Sequence, residues 1–276
     1  MALAVGLLIG LALGLTGAGG SLVAVPLLIL LLDMNPAEAS GLALGGVLVG
    51  ALAGILPNLL RPSGRQAILL GPGLILLGVG ALFAPMGRWL APQLSDVSLM
   101  LSFAGLSVII AISMWRRASQ SHGSSQTLRA GIIDSEQQVS RCLCPLSETT
   151  YFQWRPKCIL ALSLGGALVG ILSGLYGVGG GFLIVPVLLV LSGVAMPVAV
   201  MTSLLVIAGV SSVGFITWLQ LSENIYAGQL LQIALGSAAG MWLATLIGRR
   251  MAGPKLQKTF ALVVVVLSAV MLLTHF

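Results

Sequence analysis

Charge is what this sequence lacks. Only 7% of its 276 residues are Asp, Glu, Lys or Arg, against roughly 25% in a soluble domain. A surface facing water cannot be tiled from so few charges. An ordinary cytosolic enzyme, a nucleic-acid binder and a disordered chain are all excluded. Histidine numbers two, His122 and His275, which leaves nothing for histidine-based catalysis. No Ser-His-Asp set, zinc motif or P-loop occurs, so no enzyme activity and no cofactor are expected. Cysteine numbers three, too few for a disulfide framework. Cys142-Leu143-Cys144 lacks partner ligands apart from distant His122, and no metal site is assigned. The N-terminus has no basic region before its first apolar run, so a retained membrane segment is expected there rather than a cleaved signal.

What is present is apolar. Hydrophobic residues make up 58% of the chain, and mean hydropathy is +1.09. An all-α polytopic membrane protein follows. The 36 glycines suit close helix packing in lipid. Apolar runs fall at 2–15, 20–32, 37–56, 67–84 and 98–115, then at 158–175, 180–192, 197–218, 228–247 and 258–275. Between them residues 116–157 are polar and turn-rich, holding Arg116, Arg117, Arg129, Arg141, Arg155 and Lys157. The expected organisation is a first transmembrane repeat at 1–115, a polar linker at 116–157 and a second repeat at 158–276.

The halves are similar. Residues 14–28 (GLTGAGGSLVAVPLL) align without gaps on residues 174–188 (GLYGVGGGFLIVPVL), with eight of fifteen positions identical. Composition alone gives roughly two. One residue further in register, Pro36 meets Pro197 and Gly87-Arg88 meets Gly248-Arg249. An internal duplication explains this most economically. The run after each glycine cluster spans about 20 Å as a helix, short of the ~30 Å hydrocarbon core. Each cluster is therefore read as the turn of a hairpin or broken helix inside the membrane.

Basic residues decide between two parities. If residues 2–32 cross once, the basic residues split 8 to 5 between the two faces. If 2–15 and 20–32 form a hairpin, the split is 12 to 1, with Arg88 alone outside. The positive-inside rule selects the second arrangement. It puts the linker in the cytoplasm and both termini outside. An odd number of elements per half makes the repeats inverted, a recurrent plan in secondary transporters.

The clusters Gly17-Ala18-Gly19-Gly20-Ser21 and Gly177-Val178-Gly179-Gly180-Gly181 each open a short apolar helix that reaches a proline, Pro26 or Pro186. Glycine lets backbone turn sharply and approach a ligand. A helix starting there offers free N–H groups and the positive end of its dipole. Together these bind anions without a charged side chain. Glycines that merely permit tight packing are the competing reading, and duplication at identical spacing keeps both open.

At these residues the sequence resembles the sulfite exporter TauE/SafE family of membrane permeases. The resemblance rests on G-x-G-G-[GS]-x-x-x-x-P in both halves, at Gly17 to Pro26 and Gly177 to Pro186, reinforced by Pro197 followed by Thr202-Ser203. The first half departs from it: Ser21 replaces the third glycine, and Gly41-Leu42 stand where the second half has Thr-Ser. The resemblance implies transport of small sulfur-containing oxyanions or organosulfonates across the bacterial inner membrane. Candidate substrate contacts are Gly17, Gly19, Gly20, Ser21, Tyr176, Gly177, Gly179, Gly180, Gly181, Thr202 and Ser203. Tyr176 serves packing or ligand equally well. Mid-helix Thr202, Ser203, Ser211 and Ser212 compete with back-bonding to their own helix. Apart from Glu38 and Lys258 at span starts, no Asp, Glu, Lys or Arg lies inside an assigned span, which argues against a carboxylate proton relay. Arg88 and Arg249 are expected as interfacial anchors, and Asn58, Trp218 and Gln220 as helix-end residues. The partners expected are a small anion and the bilayer, with no nucleic acid; a second copy of the chain stays open. The competing function is a non-transporting assembly or accessory subunit.

Overall fold

The computed structural model describes residues 1–16, 20–32, 34–59, 69–95, 98–99, 101–109, 112, 156–177, 179–192, 196–221 and 227–251, with 262, 266 and 270. Residues 116–155 of the linker and Asn58's side chain lie outside them, while Pro156 and Lys157 open a helix. The described residues form helices α1 (Ala2–Thr16), α2 (Gly20–Leu32), α3 (Pro36–Leu59), α4 (Leu70–Leu90), α5 (Pro156–Tyr176), α6 (Gly181–Ser192), α7 (Met196–Leu221) and α8 (Ala227–Met251). A 3-10 turn at Ala91–Gln93 follows α4, and residues 101–109 are helical. Five segments are long and apolar enough to span a membrane: Glu38–Pro57, Leu70–Leu90, Pro156–Tyr176, Val198–Leu221 and Ala227–Leu246. The all-α membrane fold is thus present. Large apolar side chains such as Leu82, Leu160 and Trp242 face outward, as a lipid-facing surface requires.

Small residues set how the helices pack and in which direction. A Cβ on Gly6 would strike the Ile233 backbone, one on Gly10 the Ser237 backbone, and one on Gly14 the side chains of Ala244 and Met241. Both numbers rise together, so α1 and α8 are parallel and in backbone contact. Gly46, Gly50 and Gly54 of α3 face Ile233, Ser237 and Met241 in the same order, so α3 is parallel to them too. The second group mirrors this. Gly166, Gly170 and Gly174 of α5 meet Leu76, Gly80 and Ala84 of α4. Gly73 and Gly80 of α4 meet Thr202 and Val210 of α7. Helices α4, α5 and α7 are therefore parallel. Between the groups the order reverses: Gly41, Gly45 and Gly54 of α3 face Trp218, Phe215 and Leu204 of α7.

Six of the described helices thus form two antiparallel triplets, α1–α3–α8 and α5–α7–α4. Each takes its first and third helices from one half and its fourth from the other. Because α1 and α3 run the same way, α2 between them must return. That is the hairpin parity selected by the charge count. With no hydrophobic force between helices in lipid, such glycine-mediated contact is a main source of cohesion.

Three expectations need correction. Arg88 stands near the end of its span, in the last turn of α4, but it does not face the interface as an anchor would. Pro85 looked like a break, but α4 continues through it to Leu90, held by Gly87 against the backbone of Ile171 and Leu175. Arg88 is consequently buried. Trp218 is not an interfacial belt residue either. It is 2% exposed, stacks on Phe215 at 5.9 Å and fills the space left by Gly41. Finally, Cys158 at the start of α5 is buried and disulfide-bonded, its partner lying outside the described residues.

Candidate anion site at the second glycine turn

Helix α5 ends and α6 begins around a turn only glycine can make. Gly177, Gly179 and Gly180 have φ of +69°, +69° and +65°. This left-handed region costs other L-residues roughly 1–2 kcal/mol each. The Gly177 N–H donates to the Ser173 carbonyl at 2.9 Å, closing α5 with a left-handed cap. The Leu183 N–H donates to the Gly180 carbonyl at 3.1 Å, starting α6. The turn is buried throughout its described length.

Two buried serines border this turn. A Cβ on Gly179 would lie 2.6 Å from Ser211 Oγ, 3.1 Å from Val47 Cγ1 and 3.7 Å from Ile207 Cγ2. A Cβ on Gly180 would lie 3.4 Å from Ser173 Cβ. Ser211 and Ser173 are fully buried, and neither Oγ has a hydrogen-bond partner. An orphaned buried hydroxyl costs about 1–3 kcal/mol. Both such serines border the turn's glycines. Ser107 Oγ and Gln229 Oε1 are also without partners, but neither is among the groups bordering the turn's glycines.

The other candidates divide clearly. Thr202 Oγ1 donates to the Val198 carbonyl at 2.8 Å and accepts from the Leu69 N–H at 3.1 Å. It ties the start of α4 to α7. Ser203 Oγ donates to the Val200 carbonyl at 2.8 Å, and Ser212 Oγ to the Gly209 carbonyl at 2.7 Å. These three hydroxyls are engaged by backbone. Tyr176 is buried, its ring 5.4 Å from that of Phe103 and inclined at 60°, which is edge-type aromatic packing. Gly181 opens α6 and is buried. In the first half, Gly20 and Ser21 open α2, while Gly17 and Gly19 lie outside the described residues. Ser211 was weighed below Thr202 in the sequence, and Ser173 carried no signal, because hydroxyl satisfaction is a tertiary property.

Five helices long and apolar enough to cross a membrane define a multi-pass membrane protein. A family model described as "Sulfite exporter TauE/SafE" matches residues 2–271. The chain belongs to that family, and it is a multi-pass membrane transporter. It is similar to a "Probable membrane transporter protein" of Xylella fastidiosa (strain Temecula1), 28% identical over 263 residues, covering 94% of this chain and 88% of the relative. A protein of the same name from strain 9a5c is 28% identical over 264 residues with the same coverage. No solved structure matches the chain significantly.

Proposed function

We propose that the chain is a secondary transporter for a small anion, a sulfur-containing oxyanion or organosulfonate, in the bacterial inner membrane. The observation that carries this is the pair of partnerless hydroxyls, Ser211 and Ser173, against the Gly177–Gly181 turn. Backbone N–H groups at the start of α6 and the positive end of its dipole favour an oxyanion there. Two hydroxyl donors then complete its coordination.

The halves act as inverted repeats. Their third helices, α3 and α7, cross antiparallel, which a two-fold axis in the membrane plane requires. Alternating access follows from rocking one triplet against the other along the α3–α7 seam. The buried turn corresponds to an occluded state. The basic residues orient the chain with its linker in the cytoplasm and its termini outside. The duplicated cluster at Gly17 to Ser21 supplies a second helix start, through α2, from the opposite side.

The test is flux in proteoliposomes loaded with sulfite, thiosulfate, methanesulfonate or acetate. Saturable flux of the sulfur anions, abolished by Gly179→Leu in a protein that still inserts, is the expected result. Absence of flux for every anion, with a second protein co-purifying, would favour an accessory subunit instead.

A further inference from the structure

We infer that Ser107 is a third hydroxyl of the anion site, brought to the second glycine turn by the helix at 101–109. This rests on the glycine turn being the anion site. Ser107 is fully buried, and its Oγ has no hydrogen-bond partner. Other helix hydroxyls behave differently. Ser102, Ser203, Ser212, Thr217 and Thr245 each donate to a carbonyl three or four residues back, the usual way a hydroxyl is satisfied within a helix. Ser107 shares its lack of a partner with Ser173 and Ser211, the two serines at the turn.

The helix at 101–109 has one inward face. Phe103, Ala104 and Ser107 are buried, while Leu101, Val108 and Ile109 are exposed. Phe103 and Ser107, four residues apart, lie one above the other on that face. Phe103 makes the contact with the turn: its ring lies 5.4 Å from that of Tyr176, the residue before Gly177. Direction then fixes the level of Ser107. Helical residues resume at 98 after α4 ends at Leu90, and so short a connection makes neighbouring helices antiparallel. Because α4 and α5 are parallel, the helix at 101–109 runs against α5. Going four residues on from Phe103 and three back from Tyr176 covers about 6 Å and about 4.5 Å in the same direction. Ser107 therefore comes level with Ser173, one turn away from the aromatic pair. The two hydroxyls do not bond each other, since neither has a partner. An anion oxygen between them would accept from both.

The duplication supports this assignment. At the 161-residue offset that pairs Pro36 with Pro197, Leu106-Ser107 meets Leu267-Ser268. Exposed Leu101 meets Leu262, which is exposed too. Ser102, whose hydroxyl bonds back to its own helix, meets Val263. Of the two serines in 101–109, the buried one recurs and the exposed one does not. The site is then built by both halves, with Ser107 from the first and Ser173 and Ser211 from the second.

Methanesulfonate flux in proteoliposomes, measured for wild type, Ser107→Ala and Ser102→Ala, tests this. Ser107→Ala is expected to raise the half-saturating concentration about tenfold, the scale of one hydrogen bond to a charged group, with a melting temperature equal to wild type or higher. Ser102→Ala should keep the wild-type value. A Ser107 that only packs would leave half-saturation unchanged on replacement, and that result overturns the inference. If Ser107→Ala does not fold, Ser107→Cys in a cysteine-free background decides. Its reaction with an anionic thiol reagent should be slowed by methanesulfonate and not by neutral dimethyl sulfone. No reaction, or one rate in all conditions, overturns the inference. Inactive Gly179→Leu beside Ser107→Ala of wild-type half-saturation would refute this inference alone. Full activity of Gly179→Leu would refute the site itself.

Discussion

The two triplets bury serines at comparable seams but treat them differently. In α1–α3–α8, Ser237 is fully buried and its Oγ donates to the Gly46 carbonyl at 2.7 Å. It is glue, joining α8 to α3. In α5–α7–α4, Ser211 and Ser173 are equally buried yet bond to nothing, and both border the turn with three positive φ values. A fold selected only for cohesion pairs its buried hydroxyls, because each orphan is destabilising. The contrast separates a hydroxyl that holds helices together from hydroxyls kept ready for a solute.

The largest effects should come from the seams both triplets share. Gly170→Leu pushes side-chain atoms into the Gly80 backbone, and Gly10→Leu does the same at Ser237. Neither variant should yield monodisperse protein on size exclusion, since overpacking at backbone contact has no local remedy. Gly179→Leu comes next. It should insert, but lose flux by about a hundredfold or more, the combined scale of left-handed strain and a filled site. The serine substitutions then divide the triplets. Ser211→Ala should cut sulfite flux about tenfold while leaving the melting temperature equal or higher, because an orphan is removed. Ser237→Ala should cost about 1–2 kcal/mol of stability with little change in flux. Thr202→Val should lower stability by about 1 kcal/mol, without altering substrate preference, by releasing the Leu69 N–H.

Orientation affects neither stability nor flux in these assays and is checked separately. In a cysteine-free background, single cysteines at positions 33 and 134 should label from opposite sides, 33 from outside. The Cys158 disulfide sharpens this, since such bonds persist in oxidising compartments. Finding it closed in cells quenched with an alkylating reagent would contradict a cytoplasmic linker.

Much of this architecture was legible in the sequence. The apolar runs located every described helix. The second G-x-G-G with its proline located the turn before α6, and basic residues selected the hairpin parity that the parallel α1 and α3 display. Legibility failed where tertiary context decides. Pro57 read as the start of a break, and α3 ends close by at Leu59; Pro85 also read as a break, yet α4 runs through it to Leu90, because packing against neighbours compensates for one lost backbone bond. That error hid the burial of Arg88. Thr202 and Ser203 drew attention by type and motif, but their own helix engages both hydroxyls. Ser173 looked like any small residue in a helix until its partnerless Oγ was placed beside Gly180.

The most direct test of the central claim is sulfite flux through Ser211→Ala proteoliposomes, read beside Ser237→Ala at equal reconstitution. The account predicts about a tenfold loss for the first and near wild-type flux for the second. Wild-type flux through Ser211→Ala, or equal loss in both, would contradict the assignment of the glycine turn as the anion site.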